Sequence, residues 1–111
     1  MQVTVYTHPE FERQFKHFRK KYHSLVSDYR DFLADIKKNP FLGVNLGNGV
    51  RKVRFGIASK GKGKSGGMRV ITFSINKIDD DNIEVTLLYL YDKSEMGNVS
   101  NKFIAYLLNK E

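Results

Sequence analysis

The sequence contains no cysteine and no tryptophan, and only two of its 111 residues are proline. Without cysteine there is no disulfide, no thiolate nucleophile and no zinc site with cysteine ligands. No apolar run is long enough to span a membrane, and Met1 leads directly into an alternating strand pattern instead of an apolar signal core. We therefore expect one domain over residues 1–111, located in the cytoplasm and without membrane contact.

Acidic residues are absent between Asp35 and Asp79, a stretch that holds ten of the 19 lysines and arginines. The chain has a formal net charge of +7, and positive charge favours an anionic partner. The charge is concentrated in residues 51–71, where the middle of the segment is rich in glycine. We interpret this segment as a basic loop between two strands that binds a polyanion, with RNA as the favoured partner.

Apolar periodicity predicts two helices in the first part of the chain. Alternation over residues 2–7 indicates a short strand. Apolar residues then recur at three- and four-residue steps from Phe11 to Ile36, which is typical of a helical hairpin packed on a core. The spacing Thr7-x-x-Glu10 predicts a capping box for the first helix, Ser24 or Ser27 is expected to cap the second, and Asn39-Pro40 ends it.

The second half of the chain has the pattern of a small sheet followed by a helix. Residues 41–49 are predicted to form a loop and turn. Strands are predicted over residues 51–57, 68–76 and 83–91, the last as a central strand buried on both sides, and Ser100 is expected to cap a final helix. The predicted class is α+β, with the order β-α-α-β-β-β-α and a mainly antiparallel sheet of four strands.

Several kinds of catalytic site are excluded by the residue positions. The three histidines lie at or near the first helix, away from any candidate nucleophile. Three consecutive aspartates at positions 79–81 cannot all point inward, so neither a metal site nor any other cofactor site is expected. Gly63-Lys64-Ser65 lacks the first glycine of a P-loop, where Ala58 stands, and it precedes a predicted strand instead of a helix.

The basic segment can support RNA cleavage without a metal. Such a reaction needs a base for the 2′-hydroxyl proton, an acid for the leaving 5′-oxygen and cations that stabilise the phosphorane. A lysine can transfer protons when neighbouring cations lower its pKa. The sequence leaves open whether Lys60, Lys62 or Lys64 has this role, because a glycine-rich loop does not fix which lysine points inward.

Two stretches, RKVRFGIASKGKGKSGGMRVITF and LLYLYDKSEMGNVS, resemble the HigB branch of the RelE/ParE toxin superfamily. The shared features are an RK-x-R strand, a lysine-glycine loop, a GG-x-R-V-I strand opening and a later Tyr-x-Lys-x-Glu segment. The resemblance implies a toxin that enters the ribosomal A site and cleaves mRNA. It also implies a cognate helix-turn-helix antitoxin, through which the toxin contacts operator DNA only indirectly.

The resemblance also implies roles for individual residues. Arg69 matches the arginine expected to stabilise the scissile phosphate, and Lys93 matches a second basic residue after the last strand. The predicted catalytic residues are Arg69, Lys60, Lys62, Lys64 and Lys93. The predicted RNA-binding residues are Arg51, Lys52, Arg54 and Tyr91. The family's tyrosine at the last helix is missing from Gly97 to Ser100, which favours lysine as the general base.

Two alternatives to a ribosome-dependent mRNA endoribonuclease remain. One is a ParE-like poison of DNA gyrase, which would use the same scaffold without enzymatic activity. The other is a basic RNA-binding module without toxicity. The lysine-rich loop and Arg69 favour the nuclease over the gyrase poison, because poisoning a protein needs no phosphate site.

Overall fold

A computed structural model of the chain describes residues 2–60, 67–77 and 81–109. Within these ranges three helices pack on one mixed sheet of five strands, so the α+β class is confirmed. The predicted lysines Lys62 and Lys64 lie outside the described residues. None of the helices in the described ranges is both long enough and apolar enough to cross a membrane.

The elements follow one another with short connections. In chain order they are β1 (Gln2–Thr7), α1 (Pro9–Lys21), α2 (Leu25–Lys38), β2 (Val44–Gly47), β3 (Val50–Phe55), a 3-10 turn (Ala58–Lys60), β4 (Met68–Lys77), β5 (Asn82–Asp92) and α3 (Asn101–Asn109). The helices and the strands β3, β4 and β5 agree closely with the predicted segments. The apolar stripe that predicted the helical hairpin does pack on the core, for example through Phe11, Phe18 and Phe32.

The sheet has the order β1-β5-β4-β3-β2, and its strand count was predicted wrongly. The additional strand β2 lies where a loop was expected, and it pairs antiparallel with β3. Gly43 allows this pairing: its φ is +95°, and a Cβ there would lie 2.3 Å from the carbonyl oxygen of Lys52. Strand β1 pairs with β5 in parallel, while the other pairs are antiparallel.

The helix caps differ in part from the sequence prediction. His8 is the N-cap residue of α1, and its Nδ1 accepts a hydrogen bond of 3.0 Å from the Glu10 N–H. The predicted capping box at Thr7 is therefore wrong, and the Thr7 hydroxyl instead donates to Glu12. Ser24 precedes α2 without a side-chain capping bond. At α3 the prediction is confirmed, because the Ser100 Oγ accepts from the Phe103 N–H at 3.1 Å.

The sheet separates two apolar clusters. The larger cluster lies between the sheet and the hairpin α1–α2, and it includes Met68, Val70 and Leu90. The smaller cluster lies between the sheet and α3, and it includes Ile71, Tyr91 and Ile104. We call these two sides of the sheet the hairpin face and the α3 face. Because successive side chains of a strand alternate between faces, the predicted site residues can be assigned to one face or the other.

Candidate nucleic-acid interface

Three of the predicted site residues form a row across the α3 face. Arg54 of β3 pairs with Arg69 of β4, and Arg69 pairs with Tyr91 of β5. Side chains directly opposite each other on paired strands have their Cβ atoms about 4.5–5.5 Å apart. The register therefore places the Cβ atoms of two arginines and one tyrosine side by side on the α3 face.

Arg69 is largely buried in this row. Only 6% of its surface is exposed, and its Nη1 donates a hydrogen bond of 3.0 Å to the Met68 carbonyl oxygen. A phosphate can therefore approach only the exposed edge of the guanidinium group. A cation held with limited access to water interacts with an anion more strongly than an exposed cation does.

Tyr91 is 2% exposed, and its ring contacts the neighbouring Tyr89 ring at a centroid distance of 6.2 Å. Burial raises the pKa of the Tyr91 phenol, and the charge of Arg69 opposes this effect without cancelling it. The phenol therefore carries its proton at neutral pH and can donate a hydrogen bond to an anion.

Lys52 belongs to the same face, one pair further along β3. It pairs with Ile71 of β4, and its Nζ lies 3.4 Å from the Asn98 Oδ1 in the segment before α3. Lys52, Arg54, Arg69 and Tyr91 are thus brought together on the α3 face, although they are separated by up to 39 positions in the sequence.

Two other predicted residues, Arg51 and Lys93, do not belong to the row. Arg51 has the opposite parity to Lys52 on β3, and its guanidinium lies over the Phe41 ring at 4.9 Å. It is therefore not part of the row. Lys93 is exposed in the turn that follows β5. Arg54 also borders a separate cavity of about 240 Å³ that is lined by Asp28, Asp31 and Asp35 of α2.

Lys60 is bound on the hairpin face. Its Nζ donates to both carboxylate oxygens of Asp92, at 3.0 and 2.9 Å, and lies 5.3 Å from the centre of the Tyr22 ring. Asp92 follows Tyr91 on β5 and pairs with Met68 of the larger cluster, so it projects to the hairpin face. The structure therefore separates Lys60 from the row of Arg54, Arg69 and Tyr91.

Asp92 also accepts hydrogen bonds from other elements. The Tyr22 hydroxyl donates to it at 2.5 Å, and the N–H and hydroxyl of Ser94 donate at 2.9 and 2.7 Å. Its side chain is 1% exposed. Burial alone would raise the pKa of Asp92, but the hydrogen bonds from Tyr22, Lys60 and Ser94 outweigh burial and hold the pKa well below its ordinary value.

The expected lowering of a loop lysine's pKa is not met at Lys60. Burial lowers its pKa, but the hydrogen bond and charge of Asp92, assisted by Tyr22, outweigh burial and raise the pKa above its ordinary value. Lys60 is therefore protonated and ion-paired at neutral pH, which makes it a poor general base. The expectation rested on neighbouring cations, and the acid 32 positions away was not considered.

Sequence reasoning missed Asp92, Tyr22 and Asn98. The signal for Asp92 was an acid that directly follows an almost wholly apolar central strand, because such a position is buried and needs a partner. No comparable signal exists for Tyr22 and Asn98, whose roles depend on tertiary contacts. Among the described residues, no three histidine or acidic side chains gather where they could hold a metal ion.

No protein-family model matches the chain. A function is therefore proposed from the sequence resemblance and from three features of the structure. These features are the row on the α3 face, the neighbouring Lys52 and the ion pair on the hairpin face.

Proposed function

We propose that this protein is a ribosome-dependent mRNA endoribonuclease of the HigB branch of the RelE/ParE superfamily, and the toxin of a type II toxin–antitoxin system. The observation that carries the proposal is the row of Arg54, Arg69 and Tyr91 on one face, with Lys52 beside it. Two cations and a protonated phenol in one row match the needs of a phosphate that gains charge during cleavage.

The proposed reaction breaks the bond between phosphorus and the 5′-oxygen. The 2′-oxygen of the same nucleotide attacks phosphorus as its proton passes to a base, and the 5′-oxygen leaves with a proton from an acid. The products are a 2′,3′-cyclic phosphate and a 5′-hydroxyl. Arg69 stabilises the charge on the non-bridging oxygens, and Tyr91 donates a hydrogen bond to the same phosphate.

The proton-transfer groups are chosen from the predicted lysines. Lys60 is held protonated by Asp92, so it is a poor base. Lys62, Lys64 and Lys93 remain the candidates for base and acid. Lys60 contributes instead to the structure, since it attaches the start of the basic loop to the end of β5.

The proposal is tested by adding the purified protein to translating ribosomes and mapping the new mRNA ends. We expect cuts within the codon at the A site. Arg69→Gln should lower the cleavage rate by at least about 10²-fold, the effect of removing one donor that stabilises a charged intermediate. Arg30→Gln, an exposed arginine on α2, is the matched control and should cleave like the wild type. Intact mRNA with the wild-type protein would refute the assignment.

An RNA-binding module without catalysis is the second candidate, and the Lys60–Asp92 ion pair favours it because the pair removes one lysine from proton transfer. That function predicts RNA that is bound but not cut, and expression that does not arrest growth. If mRNA stays intact while purified gyrase loses supercoiling activity, the protein is instead a gyrase poison.

The proposed partners are the ribosome with its mRNA and a helix-turn-helix antitoxin. Expression without the antitoxin should stop growth, and co-expression should restore it. Operator DNA should bind the purified complex and not the toxin alone. The net charge of +7 makes an acidic antitoxin surface the expected complement.

A further inference from the structure

A cavity of about 390 Å³ opens on the α3 face beside the row. It is bordered by Lys52 of β3, Tyr91 of β5 and the residues that lead into α3. Its apolar wall is formed by Leu46, Ile71 and Val99. None of the described residues that line it is acidic, and its volume lies within the range of sites for small molecules.

Tyr91 supplies a polar group to this cavity. Its side chain is almost fully buried, yet its hydroxyl has no hydrogen-bond partner among the residues that the structure describes. On the hairpin face, by contrast, the hydroxyl of the part-buried Tyr22 donates to Asp92. A buried phenol that lines a cavity without a partner is a donor available to a ligand.

The N-terminus of α3 supplies further donors. A helix leaves its first amides without intrahelical acceptors and carries a partial positive charge at this end. Ser100 accepts from the Phe103 N–H, and its carbonyl oxygen accepts from the Ile104 N–H. The amides of Asn101 and Lys102 have no acceptor earlier in the helix, and Asn101 borders the cavity.

Lys52 supplies a full positive charge to the cavity, in addition to the partial charge of the helix. Its ammonium group lies 3.4 Å from the Asn98 Oδ1, so it is held at the end of the cavity next to α3. The cation, the helix N-terminus and the phenol surround the polar part of the cavity, while the aliphatic residues form the remainder.

We propose that this cavity is a subsite for one ribonucleotide, with its phosphate between Lys52 and the N-terminus of α3 and its base or ribose against the apolar wall. The proposal rests on the proposed function, because the single Tyr91 hydroxyl donates to the scissile phosphate in the row, whereas Lys52 and the N-terminus of α3 hold the phosphate of the neighbouring nucleotide. It deepens that function by placing a nucleotide that neighbours the scissile phosphate. Strand and helix thus hold the RNA on both sides of the cut.

The test is a titration of the ¹⁵N-labelled protein with adenosine 5′-monophosphate at constant ionic strength, followed by NMR. We expect saturable shifts of the amide signals of Asn101 and Lys102. Inorganic phosphate and adenosine should each bind at least about tenfold more weakly than the nucleotide, because each lacks one half of the contacts. The proposal would be overturned if the amide signals of Asn101 and Lys102 did not move during the titration. It would also be overturned if inorganic phosphate bound as tightly as the nucleotide.

Lys52→Gln should weaken nucleotide binding by about tenfold or more, since a contact between charged groups is lost. Lys77→Gln is the matched control: Lys77 is also on the sheet, is exposed, and ends β4 far from Met68 and the row. Unchanged binding by Lys52→Gln would contradict the subsite. If this variant does not fold, the titration of the wild-type protein described above still tests the subsite.

The subsite and the nuclease can fail separately. The titration uses no ribosome and no cleavage. If ribosomal mRNA is cut but adenosine 5′-monophosphate does not bind at α3, the subsite is wrong and the nuclease stands. If the nucleotide binds there but no mRNA is cut, the nuclease is wrong and the site for a nucleotide stands.

Discussion

Tyr91 and Asp92 are neighbours on β5 and are both almost fully buried, but their side chains lie on opposite faces of the sheet. Asp92 faces the hairpin, where Lys60, Tyr22 and Ser94 satisfy its carboxylate. Tyr91 faces α3, where its hydroxyl has no partner among the described residues and borders a cavity. One end of one strand therefore serves two purposes: on the hairpin face it stabilises the fold, and on the α3 face it is available to a ligand.

The largest expected effect comes from Asp92→Ala. This change leaves the Lys60 ammonium without its carboxylate and the Tyr22 hydroxyl without its acceptor. Removing one partner of a buried ion pair costs about 3–5 kcal/mol, so the free energy of unfolding should fall by that amount. Denaturant unfolding measures it. Asp31→Ala, an exposed acid on α2, is the control and should change stability little; equal losses would contradict the role of Asp92.

Acid should remove the stability contributed by the Lys60–Asp92 ion pair on the hairpin face. The pKa of Asp92 is lower in the folded protein than its ordinary value of 3.8. The ionised carboxylate therefore stabilises the fold fully above about pH 4, and this stabilisation is lost as the pH falls toward the lower pKa of the folded protein. Lys60 acts in the opposite direction: its pKa is raised above 10.5, so its contribution is present below that pH and is lost as pH rises through the folded value.

Unfolding free energies measured from pH 2 to 11 test this dependence. Asp92→Asn should reduce the slope on the acid side relative to the wild type, because the unfolded state then no longer takes up this proton. An unchanged slope would show that other acids dominate acid unfolding.

Tyr22→Phe tests the hairpin face by removing only the hydroxyl group of one side chain. It removes the hydroxyl that donates to Asp92 at 2.5 Å. A hydrogen bond to a charged group contributes about 1.5–3 kcal/mol, so the free energy of unfolding should fall by that amount. The mRNA cleavage rate should be unchanged, because Tyr22 does not belong to the row. A cleavage loss without a stability loss would reverse the assignment of the two faces.

Tyr91→Phe is the matching change on the α3 face and should have the smallest effect on stability. The hydroxyl has no partner among the described residues, so its removal should alter the free energy of unfolding by less than about 0.5 kcal/mol. The cleavage rate should nevertheless fall by about tenfold or more, the effect of losing one hydrogen bond to the charged phosphate. A large stability loss with full activity would contradict the comparison.

Periodicity predicted most of the fold because burial determines it. The helical stripe of α1 and α2, the central strand β5 and the Ser100 cap all follow from local pattern. Strand β2 could not be predicted in this way, because all four of its residues are exposed and its pairing depends on a glycine conformation. The parallel pairing of β1 with β5 joins segments about 80 positions apart and leaves no local signal.

The site was predicted in its residue types and not in its arrangement. Charge and glycine content indicated a basic segment, whereas the register between β3 and β4, which puts Lys52, Arg54 and Arg69 on one face, was not predicted. The same reasoning grouped Lys60 with them, although Asp92 binds it on the opposite face. A sequence shows which charges are near in the chain, whereas the partner of a buried charge is determined by packing.

The most direct test of the account maps mRNA ends after translating ribosomes are treated with the wild type, Arg69→Gln and Tyr22→Phe. We expect cuts within A-site codons from the wild type and from Tyr22→Phe, and a cleavage rate at least about 10²-fold lower for Arg69→Gln. Intact mRNA with the wild type, or undiminished cutting by folded Arg69→Gln, would contradict the claim that the α3 face cleaves RNA.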